Sequence, residues 1–231
     1  MSATRTIHER SELHGSAPVF AHRAAAGAVL TQMLQGYHGS NALVLAIPAG
    51  GVPVAVEIAA RLALPLDLSP VSKVLLPWTT ESGYGAVAFD GSVWLDDEAI
   101  EHFGLSPPQV EGAVSDARAK VEHRMALLRG GRAVPGLSGR RIVLVDDGIA
   151  AGSTMRAAIA AVRAQQPIEV VVAVPTGHER SVEMIAELAD EVYCANIRGG
   201  ERFAVAGAYD HWHDVTESEL AALLERSRGT P

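Results

Sequence analysis

The 231-residue chain has a single cysteine, Cys194, so it can build neither an internal disulfide nor a zinc site based on thiolates. It lacks any cluster of Lys or Arg along a helix face, and with a formal charge of −8 and a pI near 5.6 it is not suited to a nucleic-acid backbone. An anionic substrate would have to be held by locally placed groups. Apolar runs of membrane-spanning length are missing as well. Hydrophobic residues make up 48% and the mean hydropathy is +0.15, but Pro and Gly interrupt each run early, so no membrane partner is expected. The opening Met1 to Ser16 is polar and lacks the apolar core of a signal peptide, which makes the cytoplasm the expected compartment. These residues show no period and are expected to be disordered, leaving residues 17–231 as one domain.

What the chain does have is one organising segment, Arg141 to Thr154, reading RIVLVDDGIAAGST. Ile142 to Val145 have the apolar, mostly β-branched character of a buried strand. Asp146 and Asp147 stand at its end, and the small residues that follow lead into a helix. Free backbone N–H groups at the carboxyl end of such a strand, together with the helix dipole, favour an anion such as phosphate. Gly148, Ala150, Ala151 and Gly152 would let a ligand approach the backbone, with Ile149 between them. Ser153 and Thr154 can cap the helix or add hydroxyl donors. Two acids beside a phosphate would repel it unless sugar hydroxyls or a divalent cation intervene, so a phosphorylated sugar with a metal fits better than phosphate alone. Taken singly, either Asp reads as a backbone cap in an ordinary strand-to-helix turn; the whole string favours a site. The Lys of a Walker loop and the full dinucleotide glycine pattern are both missing.

VLVDDGIAAGST resembles the PRPP-binding motif of type I phosphoribosyltransferases, where PRPP is phosphoribosyl diphosphate. IPAGGVPVA resembles a segment found in one bacterial and archaeal branch of that family, and Phe20, Arg23, Ala26 and Gly27 match its opening pattern. The resemblance runs from about Phe20 to the C-terminal helix. It implies an α/β fold with a central, mostly parallel sheet flanked by helices, a small hood and a flexible loop or hairpin. The core would span about residues 40–195, the hood about 196–214 and the last helix about 216–228.

The remaining sequence suits that fold. A helical period covers Val19 to Tyr37, and Ala42 to Ile47 form an apolar strand before PAGG and a second apolar helix. Leu66 to Val74 read as a strand broken by Pro70 and closed by Lys73, and AVAF-DG-SVWL as a hairpin turning at Asp90 and Gly91. A helix with an apolar face follows Ser106; Arg118, Arg124 and Arg129 on it are expected to be solvated. Ile168 to Val174, a helix after His178 and the stretch EVYCAN then continue an alternation that predicts parallel strands with right-handed crossovers.

The resemblance implies specific roles. Ala49, Gly50 and Gly51 fall in the pyrophosphate loop, where relatives commonly carry Arg at the place of Ala49. Arg23 reads equally as a phosphate contact or a solvated surface group. Lys73 and Glu81 match family motifs and, with Asp146 and Asp147, would be the catalytic residues. Asp146 and Asp147 would hold the ribose hydroxyls and Mg²⁺, with Asp210 also reaching the metal through water, and residues 148–154 the 5-phosphate. Phe203, Asp210 and Trp212 would form the hood, with Phe203 or Trp212 able to stack on a base, although core packing is the stronger expectation for Trp212. His211 and His213 are weak as a metal pair. The function implied is Mg²⁺-dependent transfer of ribose 5-phosphate from PRPP to a nitrogenous-base-like acceptor with release of pyrophosphate, and a homodimer is left open. Ala150 stands where some purine enzymes of the family have an Asp, and Ala151 where many relatives have a Thr hydroxyl. The alternative is therefore a PRPP- or nucleotide-binding regulatory protein with little turnover, with a hydrolase of PRPP-like diesters third.

Overall fold

The computed structural model describes residues 6–79, 82–129 and 135–228. In chain order the elements are β1 (Thr6–His8), α1 (Arg23–Met33), β2 (Leu43–Ala46), α2 (Gly51–Leu62), β3 (Leu66–Leu68), β4 (Val71–Leu75), β5 (Gly83–Ala88), β6 (Val93–Leu95), α3 (Asp97–His102), α4 (Pro107–Arg129), β7 (Arg141–Val145), α5 (Ser153–Ala164), β8 (Glu169–His178), α6 (Glu179–Ala186), β9 (Glu191–Arg198) and α7 (Glu217–Arg228). The main sheet has the order β1-β9-β8-β7-β2-β3 with every pair parallel.

Helices cover both faces, which is why the inner strands are apolar without interruption. Alternation along them sends Val44, Ala46, Val143, Val145, Val171 and Ala173 to the core that also holds apolar residues of α1, α2 and α7. Leu43, Leu45, Ile142, Leu144, Val170 and Val172 go to the opposite core, with residues of α5 and α6. In α2 the residues Val54, Ile58 and Leu62 recur every four positions and are fully buried, each contributing about 1.5–3 kcal/mol of apolar burial. The expected capping box of α7 is present: Thr216 N donates to Glu219 Oε2 at 2.8 Å and Glu219 N to Thr216 Oγ1 at 3.3 Å.

Pro70 is more than a break in one strand. β3 ends the main sheet at Leu68, and β4 opens a separate antiparallel sheet, β4-β5-β6, at Val71. The hairpin turns where expected, with Gly91 at φ 82° and Asp90 Oδ1 accepting from Ser92 N at 3.0 Å. Val71, Ala86 and Ala88 pack into the core shared with α5. Val74 and Val87 pack with Ala117 and Val121 of α4.

Residues 6–16 depart from the expectation of disorder. Thr6–His8 pairs with Glu191–Tyr193 as an edge strand, and the His8 ring stacks on Tyr193 at 4.2 Å. Asn196 Nδ2 then donates to Leu13 O and Ser16 O at 2.5 and 3.1 Å, fixing the following turn. An edge strand of three residues is held by backbone pairing to an otherwise open strand edge and needs no apolar period.

The chain moves outward from β2 through α2 to β3, then returns on the other side of β2 as β7 and continues to β8 and β9. The order reverses between β2 and β7, so the loops after these strands diverge and leave a crevice beyond their carboxyl ends.

Candidate functional site

A cleft of about 780 Å³ occupies that crevice. The loop after β2 contributes Ala49 and Gly50, and the loop after β7 with the first turn of α5 contributes Asp146 to Met155. Lys73, Gly83 and Arg124 form the side made by the antiparallel sheet and α4; Phe203, Val205, Trp212 and Asp214 come from the C-terminal segment.

The loop after β7 is pinned to β8. Ile149 N donates to Thr176 O at 3.0 Å, and His178 N donates to Ile149 O at 2.9 Å. Ile149 is buried and its N–H is already used, so it is not a phosphate donor as the sequence suggested. Gly152, at φ 84°, is the N-cap of α5, and the helix ladder begins with Arg156 N donating to Gly152 O at 2.9 Å. The N–H groups of Ser153, Thr154 and Met155 therefore lack intrahelical acceptors, and all three residues line the cleft. Neither hydroxyl residue is the helix cap, because no side chain caps α5.

The acid pair stands at the centre. Asp146 Oδ1 accepts from Asp147 N at 2.8 Å, and Asp147 Oδ2 accepts from Arg23 Nε at 2.8 Å. Burial raises the Asp146 carboxyl well above its ordinary value and Asp147 pushes it further, while Lys73 opposes the shift. Asp147 is raised by burial too, with Arg23 opposing. The glycines after β2 are steric requirements of this pair. A Cβ at Gly50 would collide with Asp147 Oδ2, and one at Gly51 would lie 2.6 Å from Val145 O.

Arg23 is neither a solvated group nor a free phosphate contact. Its side chain is 7% exposed, its Nη1 donates to His213 O at 2.9 Å, and its guanidinium stacks on Trp212 at 3.8 Å. Trp212 is accordingly an exposed residue on the cleft, stacked on that guanidinium, and not a core residue. Phe203 lines the cleft, with Arg198 4.6 Å from its ring and His178 edge-on at 5.5 Å. Asp210 is exposed and is not among the cleft-lining residues; Asp214 is the acid of that segment that lines it. His211 and His213 line a smaller pocket of about 320 Å³ beside α7. Lys73 lines the cleft, Arg124 lines it instead of being solvated, and Glu81 lies outside the described residues.

Two residues were missed in sequence. Tyr209 is buried, donates its hydroxyl to Asp147 O at 2.6 Å, and has its phenol pushed up by burial and by Asp147. Arg198 donates through Nη2 to Ala204 O at 2.9 Å and through Nε to Thr176 Oγ1 at 3.3 Å, tying the Phe203 segment to β8. The Tyr next to Asp210 was a visible signal for the first; nothing local marks the second.

Among the described residues no group of three or more His, Cys, Asp or Glu could hold a metal alone. The adjacent acids do fit Mg²⁺, which binds through one or two carboxylates plus substrate oxygens and waters. A cation would also offset the mutual repulsion that raises Asp146.

The family model described as phosphoribosyl transferase domain matches residues 19–207. Proteins from two Mycobacterium tuberculosis strains, H37Rv and CDC 1551, whose names assign them to the phosphoribosyl transferases, are each 36% identical over 209 residues. That match covers 90% of this chain and 47% of theirs, so the chain spans about half the length of these curated relatives. The solved structure of TT1426 from Thermus thermophilus superposes with a TM-score of 0.73 at 34% identity, covering 90% of this chain and 98% of that one.

Proposed function

The chain belongs to the phosphoribosyl transferase domain family, and we propose that it uses PRPP with Mg²⁺ to transfer ribose 5-phosphate to a nitrogenous-base-like acceptor. The observation that carries this reading is an acid pair held beside the open N-terminus of α5 at the point where the sheet order reverses. Backbone N–H groups of Ser153, Thr154 and Met155 receive the 5-phosphate, aided by the helix dipole. Asp146 and Asp147 accept from the ribose hydroxyls and place negative charge beside C1 as it becomes cationic. The bond from C1 to diphosphate breaks, the bond from C1 to the acceptor nitrogen forms, the acceptor's N–H proton passes to solvent, and diphosphate departs between the Ala49–Gly50 loop and Lys73. Asp146 and Asp147 would hold Mg²⁺, which would supply charge neutralisation for the leaving group. Phe203, braced by Arg198 and His178, offers a ring for a planar acceptor.

Calorimetry with PRPP, with and without Mg²⁺, followed by diphosphate-release assays over a panel of bases, tests the proposal. Mg²⁺-dependent binding and release with at least one acceptor is expected; absence of PRPP binding overturns it. A second reading, a PRPP-binding regulatory protein, is favoured by one observation: Ala49, Ala150 and Ala151, none with a polar side chain, all line the cleft. Tight binding without release for any acceptor would select it.

A further inference from the structure

Helix α4 breaks its own pattern inside the cleft. Its packed stripe includes the buried Ala117, Val121 and Leu128, and Arg124 falls three residues after Val121 and four before Leu128, on the same face. That position calls for an apolar side chain. It holds a guanidinium that is half-buried, lines the cleft and makes no ion pair or hydrogen bond among the described residues. A partly desolvated cation without a partner is a cost that a bound anion removes, and such local violations of pattern concentrate at functional sites.

The other two cations on the cleft lining are differently placed. Arg23 is committed to Asp147 and His213 O, and Lys73 lies close enough to Asp146 to favour its ionised form. The loop after β2 carries Ala49 and offers no cation of its own. A chain of net charge −8 must nonetheless hold a leaving group of high negative charge. α4 packs against β4 and β5, the strands that bring Lys73 and Gly83 to the cleft, so Arg124 stands on the same wall of the cleft as these two residues. Resting on the transferase reading above, we infer that Arg124 binds the diphosphate of the substrate and supplies from a helix the charge that the Ala49 loop lacks.

The test is calorimetric titration of wild type, Arg124→Gln and Arg124→Lys with two separate probes, Mg²⁺–diphosphate and ribose 5-phosphate. Arg118→Gln, an exposed change of equal charge on the same helix, is the control. Arg124→Gln is expected to weaken diphosphate binding by about tenfold or more, the effect of losing one charged hydrogen bond, with ribose 5-phosphate binding unchanged. Arg124→Lys should recover part of the loss, and Arg118→Gln should show none. Thermal melts of each variant establish that it is folded, and the Lys variant decides the question if Gln does not fold. Undiminished diphosphate affinity in the Arg124 variants, or equal loss for both probes, overturns the inference while leaving the transferase reading in place. Wild type that binds neither probe overturns that reading, and the inference with it.

Discussion

Arg23 Nε donates to Asp147 Oδ2 at 2.8 Å, joining the first residue of α1 to the second acid of the loop after β7. Both side chains are largely buried, at 7% and 15% exposure, so the pair is a fixed part of the site and sets where Asp147 points. Arg23 in turn holds the Trp212 segment through His213 O.

Replacing Arg23 by Gln leaves Asp147 in the same setting without its cation. The expected cost is about 3 kcal/mol in denaturant unfolding, typical of breaking a buried pair from one side. Adding Asp147→Asn should restore part of it, because the double variant no longer buries a lone charge. A single Arg23→Gln variant within about 0.5 kcal/mol of wild type would contradict the assignment.

Gly50 and Gly112 make opposite cases for the same substitution. A methyl at Gly50 would collide with Asp147 Oδ2, whereas nothing lies within 4 Å of one at Gly112 on the exposed side of α4. Gly50→Ala should therefore displace Asp147 and lower PRPP affinity by at least about tenfold, a loss of the size expected for a charged contact. Gly112→Ala should raise stability by about 0.5–1 kcal/mol and leave binding alone. Equal behaviour of the two variants in melts and titrations would refute this reading.

Asp146 should trade stability for binding as pH changes. Its carboxyl is held above the ordinary 3.8 in the folded chain by burial and by Asp147. An acid raised in this way contributes stability that is full below 3.8 and lost as pH climbs through the raised value. Asp146→Asn, which keeps the oxygen that accepts from Asp147 N, should thus melt higher than ligand-free wild type at neutral pH. A gain of roughly 2–4 °C corresponds to a change of about 1 kcal/mol in a domain of this size. The advantage should vanish in acid, and PRPP binding should be lost at every pH. A melting difference that does not change with pH would remove Asp146 as its source.

Tyr209→Phe deletes a 2.6 Å hydrogen bond to Asp147 O and leaves a buried acceptor unpaired. A loss of about 1–3 kcal/mol in unfolding is expected, with weaker PRPP binding as the loop after β7 loosens. Unaltered stability would mean that water replaces the hydroxyl.

Local pattern carried most of the fold. The apolar run Ile142–Val145, its acids and the small residues after them lie within one short segment, so strand, loop and helix are all legible there. The same holds for the hairpin at Asp90 and Gly91. What escaped depends on partners far apart in sequence: Arg23 and Asp147 are separated by 124 positions and Tyr209 and Asp147 by 62. Trp212 looked like a core residue because its hydrophobicity was visible and the guanidinium it stacks on was not. Asp210 stands beside Tyr209 in sequence, yet Asp214 is the acid of that segment that lines the cleft. The charge of Arg124 reads as solvent-facing in sequence, although its position falls on the packed stripe of α4.

The crossing at Pro70 means that the two sides of the cleft are laced by different hydrogen-bond ladders. Asp146 and Asp147 ride on the six-stranded sheet, Lys73 on the three-stranded one. The span between acids and cations is then a matter of how Val71, Ala86 and Ala88 nest against Met155 and Ile159, side chains that share one apolar cluster. Volume changes at that seam would alter the width available to a substrate without changing any acid or cation that meets it, so selectivity in this scaffold can drift through its upholstery.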